Sequence, residues 1–165
     1  MNFWGIDPGY ARLGYGIVAL DGQRLVYRTH GVLETPAAQN PSQRLLYLEK
    51  ELKKLLRRFP PKASLIEDIF VRKNITSGIR VAEARGVVLL TLARVGSAIY
   101  EATPTAVKKT LTGDGQATKD VVQRMIKKLL ALSEIPQPDD AADALACALL
   151  AVSKFEQSLL RARTG

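Results

Sequence analysis

The feature that most constrains the fold is a short apolar run that starts at residue 3, ends at Asp7 and is followed by the turn-forming pair Pro8 and Gly9. It predicts a strand over 2–8 with Phe3, Gly5 and Asp7 on one face and Trp4 and Ile6 on the other. Because both faces are largely apolar, this strand should lie at the centre of a sheet. An ionised carboxylate at the edge of a core costs several kcal/mol unless a cation or hydrogen-bond donors meet it. Two interpretations of Asp7 remain open here: it binds a metal ion, or it caps the turn.

The rest of the pattern predicts a mixed sheet. Asp21 and Gly22 form a strong hairpin signal, so the first three strands should make an antiparallel meander. Helix and strand patterns then alternate, which is typical of parallel strands covered by helices. We therefore predict an α/β fold with a five-stranded mixed sheet. The predicted strands are 2–8, 14–20, 25–33, 63–67 and 97–101, and the predicted helices are 42–58, 76–94, a short one from 103, 119–132 and one from 139 or 140.

Length and composition place the chain among ordinary globular proteins. With 165 residues, 47% hydrophobic and 24% charged, we expect a single domain over 1–165. The polar and basic residues from about 154 predict a tail that frays. No apolar run approaches the roughly 20 residues that cross a bilayer, and the N-terminus does not resemble a signal peptide, so we expect a cytoplasmic protein.

Metal chemistry is limited to oxygen ligands. The chain has one cysteine, Cys147, and one histidine, His30, which excludes an internal disulfide and a cysteine-cluster zinc site. Cys147 lies in an apolar helical stretch and is interpreted as a core residue, and His30 as a half-exposed strand residue. An oxygen-only site favours magnesium, manganese or calcium.

The charge balance favours a polyanionic partner. The formal net charge is +8 and the sequence pI is about 9.8. Such an excess is typical of proteins that bind nucleic acid, although a basic surface without a partner would give the same count.

Three further acids are candidates for the same site as Asp7. Asp140 and Asp143 lie three residues apart on the last predicted helix, so they project from one side of it. Acids in a first turn also complement the helix dipole, and this alternative is strongest for Asp140. Glu67 and Asp68 end a buried strand, and strand alternation allows only one of them to face the site. The pattern alone does not choose between these two.

Strand-end acids together with an acidic pair on a helix suit two divalent ions. In two-metal hydrolysis of a phosphodiester, one ion activates water and the other stabilises the leaving oxygen. Together with the basic balance, this indicates a metal-dependent nuclease.

The helix predicted over 76–94 has apolar residues on more than one side, with small residues at Ala82, Ala84 and Gly86. Such a helix is either fully buried or part of a subunit interface. We expect a dimer.

An ordered set of motifs resembles the RuvC-type Holliday junction resolvases. The match covers about residues 2–152 and consists of Gly5-Ile6-Asp7-Pro8-Gly9, Gly14-Tyr15-Gly16, Ile66-Glu67-Asp68-Ile69-Phe70, Lys73-Asn74, Ala84-Arg85-Gly86 and Asp140-Ala141-Ala142-Asp143-Ala144-Leu145-Ala146. The resemblance implies an RNase H-like fold and a homodimer that cuts two strands symmetrically in a four-way DNA junction. It also implies magnesium or manganese as cofactor, with two ions per site, and the RuvA–RuvB branch-migration machinery as partner.

The resemblance also assigns residue roles. It implies that Asp7, Glu67, Asp140 and Asp143 are the metal ligands, which favours Glu67 over Asp68. The DNA-contacting residues that it implies are Phe70, Arg72, Lys73, Asn74, Arg80, Lys108 and Lys119.

Other functions fit parts of the pattern. The segment Gly5–Gly9 also resembles the first phosphate loop of actin-like and sugar-kinase ATPases, but 165 residues supply only one of the two domains that they need. A non-catalytic junction-binding protein would not need the four acids. A nuclease that acts on another branched or hybrid nucleic acid is the nearest alternative.

Overall fold

The structure is a computed structural model that describes residues 1–68 and 75–164, without the side chains of residues 163 and 164. Strands and helices alternate after an initial run of three strands. Within the described residues the order is β1 (Asn2–Asp7), β2 (Arg12–Asp21), β3 (Arg24–Glu34), α1 (Pro41–Arg58), β4 (Pro61–Glu67), α2 (Ile75–Arg94), β5 (Ala98–Ala102), α3 (Pro104–Thr112), α4 (Lys119–Leu129) and α5 (Asp139–Thr164).

The strands form one five-stranded sheet in the order β3-β2-β1-β4-β5. β1 is antiparallel to β2 and parallel to β4, and β4 is parallel to β5. The predicted mixed sheet, its antiparallel meander and the central position of the first strand are therefore confirmed. A register shift between Ile17 and Val18 moves the pairing of β2 with β3 by one residue, so Arg12 lies opposite Glu34.

Helices cover both faces of the sheet. Phe3 faces the layer that contains α5, while Trp4 and Ile6 face the layer formed by α1 and α2. Trp4 is fully buried, and its Nε1 donates a hydrogen bond to the carbonyl oxygen of Phe59 at 2.8 Å. The alternation predicted for β1 is confirmed, and this strand is covered on both sides.

Three glycines of β1 and β2 let the backbone of α5 approach the sheet closely. A Cβ on Gly5 would lie 1.9 Å from the Ala144 carbonyl oxygen, and one on Gly14 would lie 2.1 Å from the Asp140 carbonyl oxygen. No side chain fits in these gaps. The first turns of α5 are therefore held directly against the strands that flank Asp7.

Two predicted helix ends differ from the structure. α4 ends at Leu129 instead of 132, because Leu130 occupies the C-cap position with its backbone N–H bonded to the Ile126 carbonyl. α5 continues to Thr164, beyond residue 154, where a tail was expected to begin. Fraying of this segment stays a prediction. In the described part of the chain, none of the helices has the length and apolar character needed to cross a membrane.

Candidate metal centre

The carboxyl ends of two parallel strands meet the first turns of α5 at one edge of the sheet. Asp7 ends β1 and Glu67 ends β4, and Asp140 and Asp143 lie near the start of α5. A cleft of about 200 Å³ opens beside them, and the residues that line it include Glu67, Lys108, Lys119 and Asp143.

Burial and mutual repulsion raise the pKa values of three of these acids. Burial, followed by repulsion from Asp143 and Asp140, raises the pKa of Asp7 to about 6. Burial, followed by repulsion from Asp7 and Asp143, raises the pKa of Glu67 to about 7. Burial also raises the pKa of Asp143. A divalent cation bound between these acids would compensate their negative charges.

Asp143, one of the two candidate ligands on α5, is paired with Lys119. Lys119 Nζ lies 3.2 Å from Asp143 Oδ2 and 3.3 Å from Asp139 Oδ2. Gln123 Nε2 donates to the other oxygen of Asp139 at 3.1 Å. Asp139 therefore holds the ammonium group of Lys119 at the mouth of the cleft.

Arg12 makes the equivalent contact on the other side of the site. Its Nε donates to Asp140 Oδ2 at 2.9 Å, and its Nη1 lies 2.6 Å from Glu34 Oε1. Both helix acids thus take part in an acid–cation–acid arrangement, with Arg12 and Lys119 as the cations.

The donor set fits a divalent metal, although the side chains are not gathered around one. Over residues 1–68 and 75–164, no group of three or more His, Cys, Asp or Glu side chains is placed closely enough to hold an ion. Asp140 is instead paired with Arg12 and Asp143 with Lys119. Oxygen ligands, burial and mutual repulsion all favour a hard divalent cation.

The choice between Glu67 and Asp68 has a clear geometric outcome. Glu67 lines the cleft, whereas Asp68 Oδ1 lies 3.5 Å from Arg85 Nη2, whose other partner is Glu101. The structure brings Glu67 to the other acids, as the resemblance implied. Its role as a ligand stays a prediction.

The predicted DNA-contacting residues divide into three groups. Lys108 and Lys119 line the cleft. Arg80 is outside the cleft lining, paired with Glu83 at 2.9 Å and lying over the Tyr10 ring. The remaining four lie outside the described residues; they are Phe70, Arg72, Lys73 and Asn74.

Three polar residues at the site were not predicted. Asp139 and Gln123 could have been found, because Asp139 precedes the acidic pair and Gln123 is one turn from Lys119 on α4. No sequence pattern indicated that Arg12 would lie opposite Glu34, because this pairing depends on the register shift between β2 and β3.

Comparison with known proteins identifies the family. The family model described as "Crossover junction endodeoxyribonuclease RuvC" matches residues 3–151. The chain belongs to the RuvC family. The RuvC protein of Thermosipho melanesiensis is 46% identical over 148 residues, which are 90% of this chain and 94% of the relative. That of Heliobacterium modesticaldum is 42% identical over 149 residues, 90% of this chain and 92% of the relative.

Solved RuvC structures have the same fold. Thermus thermophilus RuvC matches with a TM-score of 0.87 and 32% identity over 96% of this chain and 97% of that one. The same RuvC "in complex with Holliday junction substrate" matches with a TM-score of 0.81 and 31% identity over 90% and 91% of the two chains. The RNase H-like fold predicted from the sequence is confirmed.

Proposed function

We propose that this RuvC protein resolves four-way DNA junctions by cutting two strands symmetrically through metal-dependent hydrolysis, in recombination and repair. The observation that carries the proposal is the meeting of four acids from β1, β4 and α5 at one edge of an RNase H-like sheet. Family membership supports the substrate, since the relatives are crossover junction endodeoxyribonucleases and one RuvC structure contains a Holliday junction.

Asp7, Glu67, Asp140 and Asp143 would hold the metal, which we propose to be two Mg²⁺ or Mn²⁺ ions. Bound there, the ions supply activation of water and charge stabilisation at the leaving oxygen. The backbones of Asp7 and Glu67 are held at the ends of the paired strands β1 and β4. They therefore do not need to become ordered when the metal binds. Lys108 and Lys119 line the cleft and are placed to attract the phosphate group to be cut.

The DNA surface is proposed to extend beyond the cleft. The net charge of +8 supports a broad electrostatic attraction to DNA. We assign DNA contacts to Arg80 and to four residues outside the described part, with Phe70 stacking on bases and the loop residues Arg72, Lys73 and Asn74 on the cleaved strand.

A homodimer is supported by an apolar stripe on α2. Its residues recur on one side of the helix and are solvent-exposed in the single chain: Ile79, Ala82, Gly86 and Leu90. Leu90 is 52% exposed, and a Cβ on Gly86 would meet nothing within 4 Å. Leu46 of α1, 65% exposed, lies beside the stripe along a groove between α1 and α2. Because a two-fold axis pairs a patch with itself, this face suits a second copy of the chain.

The proposal includes action with the RuvA–RuvB branch-migration machinery in the cytoplasm. Family membership is the support for this partner and place of action.

The test is incubation with a synthetic four-way junction and with linear duplex of the same sequence, with Mg²⁺ or with EDTA. We expect paired symmetric nicks in the junction only, and only with Mg²⁺. Asp7→Asn should abolish cutting while junction affinity persists, because Asp7 faces the metal site and not the basic surface.

Equal cutting of junction and duplex would contradict junction specificity. Preferential cutting of a flap or an RNA–DNA hybrid would favour the alternative of a nuclease for another branched or hybrid substrate. Cutting by Asp7→Asn, or a parallel loss of binding, would contradict the assignment of Asp7.

A further inference from the structure

Arg12 lies at the rim of the metal centre, where the β1–β2 turn reverses the chain. The turn is tight, since a Cβ on Gly9 would lie 1.9 Å from the Arg12 carbonyl oxygen. Arg12 then begins β2, directly opposite Glu34 at the end of β3. Its backbone is therefore fixed, while its side chain is 48% exposed.

The guanidinium group joins one acid of the metal centre to one acid outside it. Nε contacts Asp140 at 2.9 Å and Nη1 contacts Glu34 at 2.6 Å. A guanidinium carries five N–H donors in a planar fork, so two contacts do not exhaust it.

Arg12 and a metal ion compete for Asp140. The oxygen Oδ2 that accepts from Arg12 is half of the carboxylate that would bind the metal. A divalent ion at that carboxylate also brings two positive charges close to the guanidinium, which is unfavourable. Metal binding is therefore easier once Arg12 has left Asp140.

A phosphate group of the DNA backbone is the second partner that Arg12 would meet when DNA binds at this site. Arginine pairs with phosphate in the same forked geometry as with a carboxylate. Arg12 is half-exposed and contacts one of the candidate metal ligands, so a phosphate held at the metal centre would lie close to its side chain.

We propose that Arg12 couples DNA binding to assembly of the metal centre: without DNA it holds Asp140, and with DNA it moves to a phosphate and leaves Asp140 to the metal. This rests on the function proposed above. It makes Arg12 a positioning residue whose two positions depend on whether DNA is bound.

Arg12→Met tests the coupling through two measurements that do not depend on cutting. Isothermal titration calorimetry of the DNA-free protein should show Mn²⁺ binding about threefold tighter than in the wild type, the value of one exposed ion pair. Fluorescence anisotropy in EDTA should show weaker junction binding, with a salt slope smaller by about 1. Arg12→Lys, which keeps the charge, should retain the wild-type salt slope.

Lys54→Met is the matched control. It removes one positive charge from an exposed pair with Glu51 on α1, whose buried face packs on the other side of the sheet from α5. We expect its Mn²⁺ affinity to equal that of the wild type. Thermal unfolding in EDTA establishes that both variants are folded.

Mn²⁺ binding by Arg12→Met that is equal to or weaker than wild-type binding would overturn the proposal, as would unchanged junction affinity. A wild-type protein that binds no Mn²⁺ and cuts no junction would instead contradict the proposed function. The wild-type measurement thus separates the two failures.

Discussion

At the scale of single residues, the buried acids of the candidate metal centre destabilise the metal-free protein. Asp7 has a pKa raised from 3.8 to about 6, chiefly by burial. At about 1.4 kcal/mol per pKa unit, keeping Asp7 ionised above pH 7 costs roughly 3 kcal/mol of folding stability. Glu67, with a pKa of about 7, adds a cost of the same sign. Metal binding at the proposed site would offset both costs, because it needs the ionised forms.

We expect Asp7→Asn to stabilise the metal-free protein at pH 7.5 and much less at pH 4. Well below pH 3.8 Asp7 is protonated in the folded and unfolded states alike, so it costs nothing; the cost develops between pH 3.8 and about 6 and is complete above that. In EDTA at pH 7.5 the variant should gain about 2–3 kcal/mol, seen as a melting temperature several degrees higher.

Asp120→Asn is the control for this stability measurement. Asp120 is an exposed acid paired with Arg124 on α4, so its removal should leave the melting temperature nearly unchanged at both pH values. Equal stability of Asp7→Asn and wild type at pH 7.5 would show that Asp7 is well solvated. That result would contradict its raised pKa.

The sequence predicted the acids better than their surroundings. Asp7 ends a buried strand, and Asp140 and Asp143 share a helix side, so local periodicity made these three candidates. It left Glu67 and Asp68 open, and only the family resemblance favoured Glu67. The contact of Arg12 could not be predicted, since the hairpin pairing Asp21 with Arg24 would put Arg12 opposite Leu33 if it ran without interruption. The register shift at Ile17 and Val18 moves it to Glu34, and nothing in that apolar stretch marks the shift.

At the scale of elements, α5 determines where the site is. Its N-terminal turns carry two of the acids, and its backbone rests on Gly5, Gly14 and Gly16 of β1 and β2. A helix normally stands off a sheet by the length of its side chains. Without side chains at these three positions, α5 lies close enough for its acids to repel Asp7.

Gly14→Ala tests this packing. The added Cβ would lie 2.1 Å from the Asp140 carbonyl oxygen, so α5 or β2 must move. We expect a loss of about 1–3 kcal/mol of folding stability, measured by urea unfolding. We also expect weaker Mn²⁺ binding in calorimetry, because the shift displaces Asp140.

Gly86→Ala is the control glycine, since nothing in the single chain lies within 4 Å of its added Cβ. Because Gly86 belongs to the proposed dimer stripe, variant and wild type are compared as monomers. In the interior of a helix it should stabilise the folded chain by up to about 1 kcal/mol. A Gly14→Ala protein with wild-type stability and metal affinity would show that α5 can move without consequence.

The far end of α5 shows where local patterns fail. From Ser153 onward the sequence is polar and basic, which gives no reason for a helix that continues to Thr164. Tertiary contacts support it: the Phe155 ring packs 5.5 Å from that of Phe3, and Tyr100 donates its hydroxyl hydrogen to Ser158 at 3.1 Å. These partners lie more than 50 residues away in sequence, so no local window contains them.

At the scale of the whole molecule, the exposed stripe on α2 is the feature that a single chain does not explain. Leu90 and Ile79 are more than half exposed, and Gly86 between them leaves open space. A paired copy would bury them and place two metal centres in a symmetric relation. The proposed symmetric cutting of a four-way junction would require such a pair.

We expect Leu90→Glu to convert the proposed dimer into monomers, because two buried carboxylates, one from each copy, cannot be accommodated where two apolar stripes meet. Sedimentation equilibrium measures the mass. Leu159→Glu makes the same change at an exposed position of α5 outside the stripe and should remain dimeric. A Leu90→Glu protein that sediments as a dimer would place the interface elsewhere.

The environment of Trp4 has a spectroscopic consequence. It is the sole tryptophan of the chain, enclosed on the sheet face opposite α5 and bonded to the Phe59 carbonyl. Its fluorescence emission should therefore be blue-shifted in the native protein. The emission should move to longer wavelength when unfolding exposes β1 to water. Since DNA does not fluoresce in this range, one intrinsic chromophore, three residues from Asp7, follows unfolding of the central strand even with the junction bound.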